Sequence, residues 1–224
     1  PFTFSFEQVG TNCGLFGKNA CMEVDGSAYW MSENGFFTYD GQLPSMPCLV
    51  EDYVYDSIND TSRDLINCGL NNLFGEINWF YPSEASDEVD RVVTYNYLDS
   101  SAKQPIWTTG SLARTAWQDS AVFNRPHATY YGSNDNASFD VTGNTQGSTI
   151  YYNQETGTDE VNAGNISVAI PAFIESGDFD ITQKRSNTGQ AVGTPDLRGD
   201  GEYIMRISRF IPDFITQTGD TKVS

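Results

Sequence analysis

The sequence predicts an all-β fold with two short helices, and three observations support that class. Apolar and polar residues alternate with a period of two through most of the chain, as they do in strands that bury one face. Gly, Asn and Asp cluster between these runs, where tight turns are expected. The 14 Phe, 12 Tyr and 4 Trp among 224 residues supply enough aromatic area to fill the space between packed sheets.

The first predicted element is a β-hairpin in AYWMSENGFFTYDG, residues 28–41. Strands at 28–32 and 36–39 flank Glu33-Asn34-Gly35, and the Asn-Gly pair accepts the positive backbone angles of a tight reversal. A second turn is predicted at Asp40-Gly41, directly after the second strand.

Two short helices are predicted next, at residues 49–58 and 61–68. In the first, apolar residues recur at every fourth position from Val50 to Ile58, and acidic residues stand near its start, where the helix dipole favours them. The second is suggested by Thr61-Ser62-Arg63-Asp64, which resembles a capping box.

Alternating strands follow the helices. Ile77, Trp79 and Tyr81 share one face of a strand at 77–81, and a strand at 92–98 reads as its antiparallel neighbour. With shorter strands at 105–107 and 114–117, the segment from about 75 to 119 contains four strands. Further strands are predicted at 128–131, 148–152, 167–170, 173–174, 179–181, 203–207 and 210–212.

Units of 40 to 50 residues with four antiparallel strands have the size of β-propeller blades. The fold predicted is therefore a set of propeller blades, each an antiparallel four-stranded sheet. No sequence motif repeats from unit to unit, so a β-sandwich or jelly roll remains an alternative on the pattern alone.

The net charge of the chain argues against nucleic acids and anionic membranes as binding partners. The chain has 30 acidic residues against 12 Lys and Arg, a formal net charge of −18, so it repels phosphate backbones and anionic lipid surfaces. No apolar run reaches the roughly 18 residues of a membrane-spanning helix. Cys13, Cys21, Cys48 and Cys68 match no zinc or redox spacing, and we expect them to be buried thiols in a reducing compartment.

The sequence contains few motifs that are typical of catalytic sites, so we expect no enzyme activity and no bound cofactor or metal. His127 is the single histidine, and neither a G-x-S-x-G elbow nor a glycine-rich phosphate loop occurs. Two alternatives stay open. Glu76 or Asp90 beside Trp79 could serve a glycoside hydrolase, and exposed aromatic rings could serve a carbohydrate-binding module.

Several aromatic and acidic motifs, taken together, carry a family resemblance. They are 28–32, 35–41, 46–48, 51–54, 72–83, 90–97, 114–117 and 174–181. In this series the chain resembles tail hub or nozzle proteins of short-tailed bacteriophages, the packaged-DNA stabilisation family. The resemblance spans most of residues 28–215.

The resemblance implies a structural protein with a β-propeller core that forms a sixfold ring below the portal and adaptor. Its partners would be other copies of itself, the portal or adaptor, and tail fibre or needle proteins. It would be assembled in the host cytoplasm and reside in the virion. Residues 28–175 would form the later blades and 176–224 a C-terminal sheet region, in one β domain of a chain that we expect to continue beyond both ends.

Such a ring would retain DNA and then conduct it during ejection, without sequence-specific binding. A lumen lined with carboxylates repels phosphates within about one Debye length, roughly 8 Å. The candidate lumen-facing residues are Glu84, Asp87, Glu88 and Asp90, and a second candidate loop lies at 156–160.

Overall fold

The computed structural model describes residues 4, 7–101, 104–120, 124–133, 148–155, 159–161, 167–169 and 173. Packing divides the chain into two compact units, residues 1–170 and 171–224, and every described strand belongs to the first. This part is mostly β with few helices, so the all-β prediction is confirmed. The predicted division at about residue 175 stays a prediction.

Sheet 1 is an antiparallel meander in which each strand pairs with the next. Its strands are β1 (Cys21–Val24), β2 (Ser27–Ser32), β3 (Gly35–Tyr39) and β4 (Ser45–Met46). The chain reverses between β2 and β3, with Glu33 and Asn34 between the paired residues Ser32 and Gly35. Of the predicted Asn-Gly pair only Gly35 has a positive φ, 113°, a conformation that glycine accepts without strain; the expected positive φ at Asn34 was wrong. The predicted hairpin is therefore confirmed.

The helical connection after sheet 1 is shorter than predicted. It consists of α1 (Glu51–Tyr55) and a 3₁₀ helix (Asp60–Leu65). The predicted capping box is wrong, because Asn59 caps the second helix: its Oδ1 accepts hydrogen bonds from the amides of Thr61 and Ser62 at 3.0 and 3.3 Å.

Sheet 2 repeats the meander of sheet 1. Its strands are β5 (Asn67–Asn71), β6 (Glu76–Tyr81), β7 (Arg91–Asn96) and β8 (Trp107–Gly110). The sequence predicted that residues 75–119 contain four strands of one unit, and this grouping was wrong by one strand. The first strand of the sheet is β5, which was not predicted, and the predicted strand at 114–117 belongs to the next sheet instead. The sequence of β5, NCGLN, has little β propensity, and the strand forms through its pairing with β6 along all five residues.

A third sheet contains β9 (Ala116–Gln118), β10 (His127–Ser133) and β11 (Ser148–Gln154), again in chain order. A separate hairpin pairs β12 (Asp159–Val161) with β13 (Ser167–Ala169). The predicted strands at 128–131, 148–152 and 167–170 are confirmed to within a few residues at their ends. Phe173 is not in a strand, and residues 174–224 lie outside the described part of the chain.

The first strands of the three sheets lie side by side. β1 contacts β5, and a parallel bridge joins Asn19 to Asn67 at their amino ends. β5 in turn contacts β9. The second and third sheets therefore each begin next to the first strand of the preceding sheet. The described sheets do not close into a ring.

Tryptophan rings fill the spaces between the sheets. Trp79 and Trp107 of sheet 2 lie 5.0 and 4.7 Å, centroid to centroid, from Phe36 of sheet 1. Trp117 of the third sheet stacks on Phe80, on the opposite face of sheet 2, at 5.8 Å. Both faces of sheet 2 are therefore covered, which explains why Phe80 and Trp79, on opposite faces of one strand, are both fully buried.

Each of these indole N–H groups donates to a backbone carbonyl of the preceding sheet or its flanking residues. The pairs are Trp79 to Ala20 at 3.1 Å, Trp107 to Pro47 at 2.8 Å and Trp117 to Leu70 at 2.7 Å. A buried N–H needs such an acceptor, so the hydrogen bonds fix how each sheet is placed on the one before it.

Candidate functional site

The described sheets 1 and 2 have two ends with different chemistry. Because β1 and β5 run parallel, the segments 33–35, 47–66 and 82–90 meet at one end, which we call the connection end. The hairpin turns 25–26 and 72–75 meet at the other, the turn end.

The predicted acidic loop, residues 82–90, lies at the connection end between β6 and β7. Ile58 forms a β-bridge with Ser83, and the amide of Glu84 donates to the carbonyl of Ser57 at 2.6 Å. The Asn59 side-chain amide donates to the carbonyl of Ser86 at 2.8 Å. The loop is thus fixed against the helical connection rather than standing alone in solvent.

Asp90 has a structural role inside this loop. Its two carboxylate oxygens accept hydrogen bonds from the backbone amide and the hydroxyl of Ser83, both at 2.7 Å. Arg91 lies 3.6 Å from the same carboxylate. Of the other predicted residues, Glu84 and Asp87 are exposed and Glu88 is half-exposed.

Several further acidic residues lie at the connection end and were not predicted from the sequence. The exposed carboxylates of the connection end are those of Glu33, Asp52, Asp56, Asp60, Asp64, Glu84 and Asp87. Exposed cations of the described residues here are Lys18 and Arg63, and Arg63 is paired with Glu33 at 2.8 Å. The signal in the sequence was the density of acids: Asp52, Asp56, Asp60 and Asp64 fall in the two predicted helices and the short segment between them, where the only cation is Arg63.

The second predicted acidic loop falls mostly outside the described residues. Only Asp159 and Glu160 are described, as part of β12, and the loop stays a prediction.

A cavity of about 350 Å³ also lies at the connection end. Its lining residues are Phe16, Glu33, Tyr55, Ile58, Asp60 and Arg63. Burial raises the pKa of the Tyr55 phenol, which donates to the carbonyl of Ser32 at 2.6 Å. Burial keeps the phenol protonated at neutral pH, and the guanidinium of Arg63 is paired with the carboxylate of Glu33 at 2.8 Å.

The two candidate glycosidase carboxylates do not come together. Glu76 begins β6 and Asp90 lies next to the residue that pairs with Tyr81 at the end of β6. Five residues of strand separate them by about 17 Å, whereas glycosidase carboxylates lie about 5 to 9.5 Å apart. Glu76 is instead half-buried, and burial raises its pKa against the effect of a 3.2 Å hydrogen bond from Asn71.

In the described part of the chain, no three His, Cys, Asp or Glu side chains are grouped so as to hold a metal ion. None of the four cysteines forms a disulfide; Cys48 is buried as predicted, but Cys21 is exposed. Among the described helices, none has the length and apolar character needed to cross a membrane. Comparison with protein-family models and with curated proteins finds no match to this chain.

Proposed function

We propose that the chain is a structural component of a bacteriophage tail, a hub or nozzle that forms a ring below the portal and adaptor. In this proposal the ring retains packaged DNA and conducts it through an acidic lumen during ejection. The observation that carries the proposal is the serial placement of the sheets, in which the first strands β1, β5 and β9 are neighbours in chain order.

This placement supports propeller blades over a sandwich. In a sandwich two sheets bury one face each, whereas here sheet 2 is covered on both faces by sheets that precede and follow it in the chain. Blades arranged around an axis have this pattern, with the first strand of each blade innermost. A propeller also places aromatic rings between neighbouring blades, and here Trp79, Trp107 and Trp117 lie between neighbouring sheets.

The acidic connection end supports the proposed role in DNA conduction. A surface that combines exposed carboxylates with few cations cannot neutralise phosphates, so duplex DNA meets repulsion there instead of adhesion. Asp52, Asp56, Asp60 and Asp64 join Glu84 and Asp87 as candidates for the residues that face the DNA path.

The proposal is tested by the assembly state. Light scattering after size exclusion should give a mass several times the 24.8 kDa of one chain, and negative-stain images should show rings with a central channel. A monomer at every concentration tested would contradict the ring.

One observation favours a second candidate, a carbohydrate-binding module. Trp30 and Phe37 stack at 5.9 Å with an angle of 19° between their planes, and both rings are half-exposed on sheet 1. Such a platform suits a sugar ring. A rise in melting temperature with some oligosaccharide, lost in Trp30→Ala, would favour this function over the tail component.

A further inference from the structure

The cavity at the connection end has apolar walls that the fold holds in place. Its apolar side chains are those of Phe16, Tyr55 and Ile58. Phe16 is buried, and its ring lies 6.1 Å from that of Tyr55, centroid to centroid. The Tyr55 phenol donates to the carbonyls of Ser32 and Gly35 at 2.6 and 3.1 Å, and these two hydrogen bonds fix the orientation of the tyrosine ring.

The charged side chains of the same cavity do not balance. Two carboxylates, of Glu33 and Asp60, line it together with one guanidinium, that of Arg63. Arg63 is paired with Glu33 at 2.8 Å, whereas Asp60 forms no ion pair with any cation of the described residues. Asp56 and Asp64, on either side of Asp60 in the chain, are exposed and add to the negative charge. The cavity therefore has a carboxylate without a counter-ion beside its apolar walls.

A ligand that suits this lining has an aliphatic stem and a positively charged head. Lys and Arg side chains have this form, since their methylene groups pack on apolar surface while the charged end stays at the water boundary. A cation also gains attraction from nearby carboxylates and from aromatic rings. The volume of about 350 Å³ lies at the lower end of the roughly 300 to 1,000 Å³ of small-ligand pockets, so the occupant is of side-chain size.

We propose that this cavity receives a Lys or Arg side chain of a basic partner protein. Its methylene groups would pack on Phe16, Tyr55 and Ile58, and its cation would pair with Asp60. Charge complementarity favours such a partner, because a chain with a formal charge of −18 attracts basic proteins and repels acidic ones. The proposal goes beyond the tail function and does not depend on it, since a monomer and a ring would offer the same cavity.

The same charges disfavour other classes of ligand. An anion would need the guanidinium of Arg63, which Glu33 already neutralises, and would be repelled by Asp60. A neutral ligand would leave the charge of Asp60 unused. Because salt screens the attraction between a cation and an exposed carboxylate, binding of the proposed side chain should weaken as salt is raised. Binding of a neutral ligand should change little.

The test titrates the full chain with short glycine peptides, capped at both ends, that contain a single Arg or a single Lys. NMR spectra of the backbone amides should show saturable shifts at Glu33 and Asp60. A peptide with citrulline in place of Arg has the same shape without the charge and should bind several-fold more weakly. Failure of both cationic peptides to bind, or equal binding of the citrulline peptide, would overturn the proposal. Much tighter binding of n-butylguanidine, which has no peptide backbone, would assign the cavity to a free cationic ligand instead.

A pair of variants locates the binding. Asp60→Asn removes the charge with little change of shape and should weaken binding of the cationic peptides several-fold. Asp64→Asn, at an exposed acid that does not line the cavity, should have little effect. Equal weakening in the two variants would overturn the proposal, because general acidity would then account for the binding. If Asp60→Asn does not fold, as judged by circular dichroism, the comparison of the Arg and citrulline peptides on the parent protein decides.

Discussion

At the scale of single residues, the tryptophans between the sheets set both stability and geometry. Trp79 is fully buried, packs on Phe36 and donates its N–H to the carbonyl of Ala20. Trp79→Ala should lower the free energy of unfolding by about 3 to 5 kcal/mol, through the cavity and the unpaired carbonyl. Urea denaturation measures the change in the free energy of unfolding. Trp30→Ala is the control, and it should destabilise the protein less because Trp30 is half-exposed. Wild-type-like unfolding of the Trp79 variant would mean that this ring is not part of the core.

Gly69 shows how closely β5 approaches the third sheet. A Cβ at this position would lie 2.5 Å from the Trp117 side chain, whereas one at Gly14 would meet nothing within 4 Å. Gly69→Ala should therefore cost about 1 to 3 kcal/mol by overpacking. Gly14→Ala, the matched control, should unfold like the parent protein in the same urea titration. Equal midpoints for the two variants would contradict the close packing of β5 on β9.

The raised pKa of Glu76 determines the direction in which this residue makes folding stability depend on pH. Its pKa is raised in the folded state by burial, so the folded protein binds this proton more tightly than the unfolded chain does. The resulting penalty is absent below the unfolded pKa, about 4.3, and develops as pH rises through the folded pKa. Glu76→Gln should therefore stabilise the protein at neutral pH relative to wild type and lose that advantage in acid. The measurement is the difference in melting temperature between Glu76→Gln and wild type across a range of pH. A difference that stays constant with pH would contradict the prediction.

At the scale of elements, Asn59 couples the helical connection to the acidic loop. Its carboxamide oxygen caps the 3₁₀ helix while its NH₂ group donates to the carbonyl of Ser86. Asn59→Ala should cost about 1 kcal/mol from the lost cap, together with faster amide exchange in residues 82–90. Asn59→Asp keeps the cap and loses the donor, so it should loosen the loop with less loss of stability. Identical exchange in all three proteins would show that the loop does not depend on Asn59.

The same elements show what the sequence could predict. Strands with alternating aromatic residues, such as β6 and β7, were predicted to within a few residues, because their period is set locally by the pleat. β5 was missed because its conformation depends on distant partners, Trp79 in its own sheet and Trp117 in the next. The acidic connection end was predicted only at its loop. Its remaining carboxylates come from segments that adjoin the loop only after folding.

At the scale of the whole molecule, the uneven distribution of charge leads to the last prediction. If the connection end lies along the DNA path, replacing Asp52, Asp56, Asp60 and Asp64 with Lys should convert a repulsive surface into one that holds duplex DNA. Gel-shift assays on the assembled protein should then show binding at about 50 mM salt that is largely lost by about 200 mM, and none for wild type.

The matched control changes the same amount of charge elsewhere, at Glu23, Asp25, Asp40 and Asp99, which are exposed acids outside the connection end. If position decides the interaction, this control should bind DNA much more weakly than the connection-end variant. If both variants bind alike, net charge alone accounts for the behaviour, and the connection end has no special relation to the DNA path. The comparison therefore separates a directed acidic surface from the general acidity of the chain.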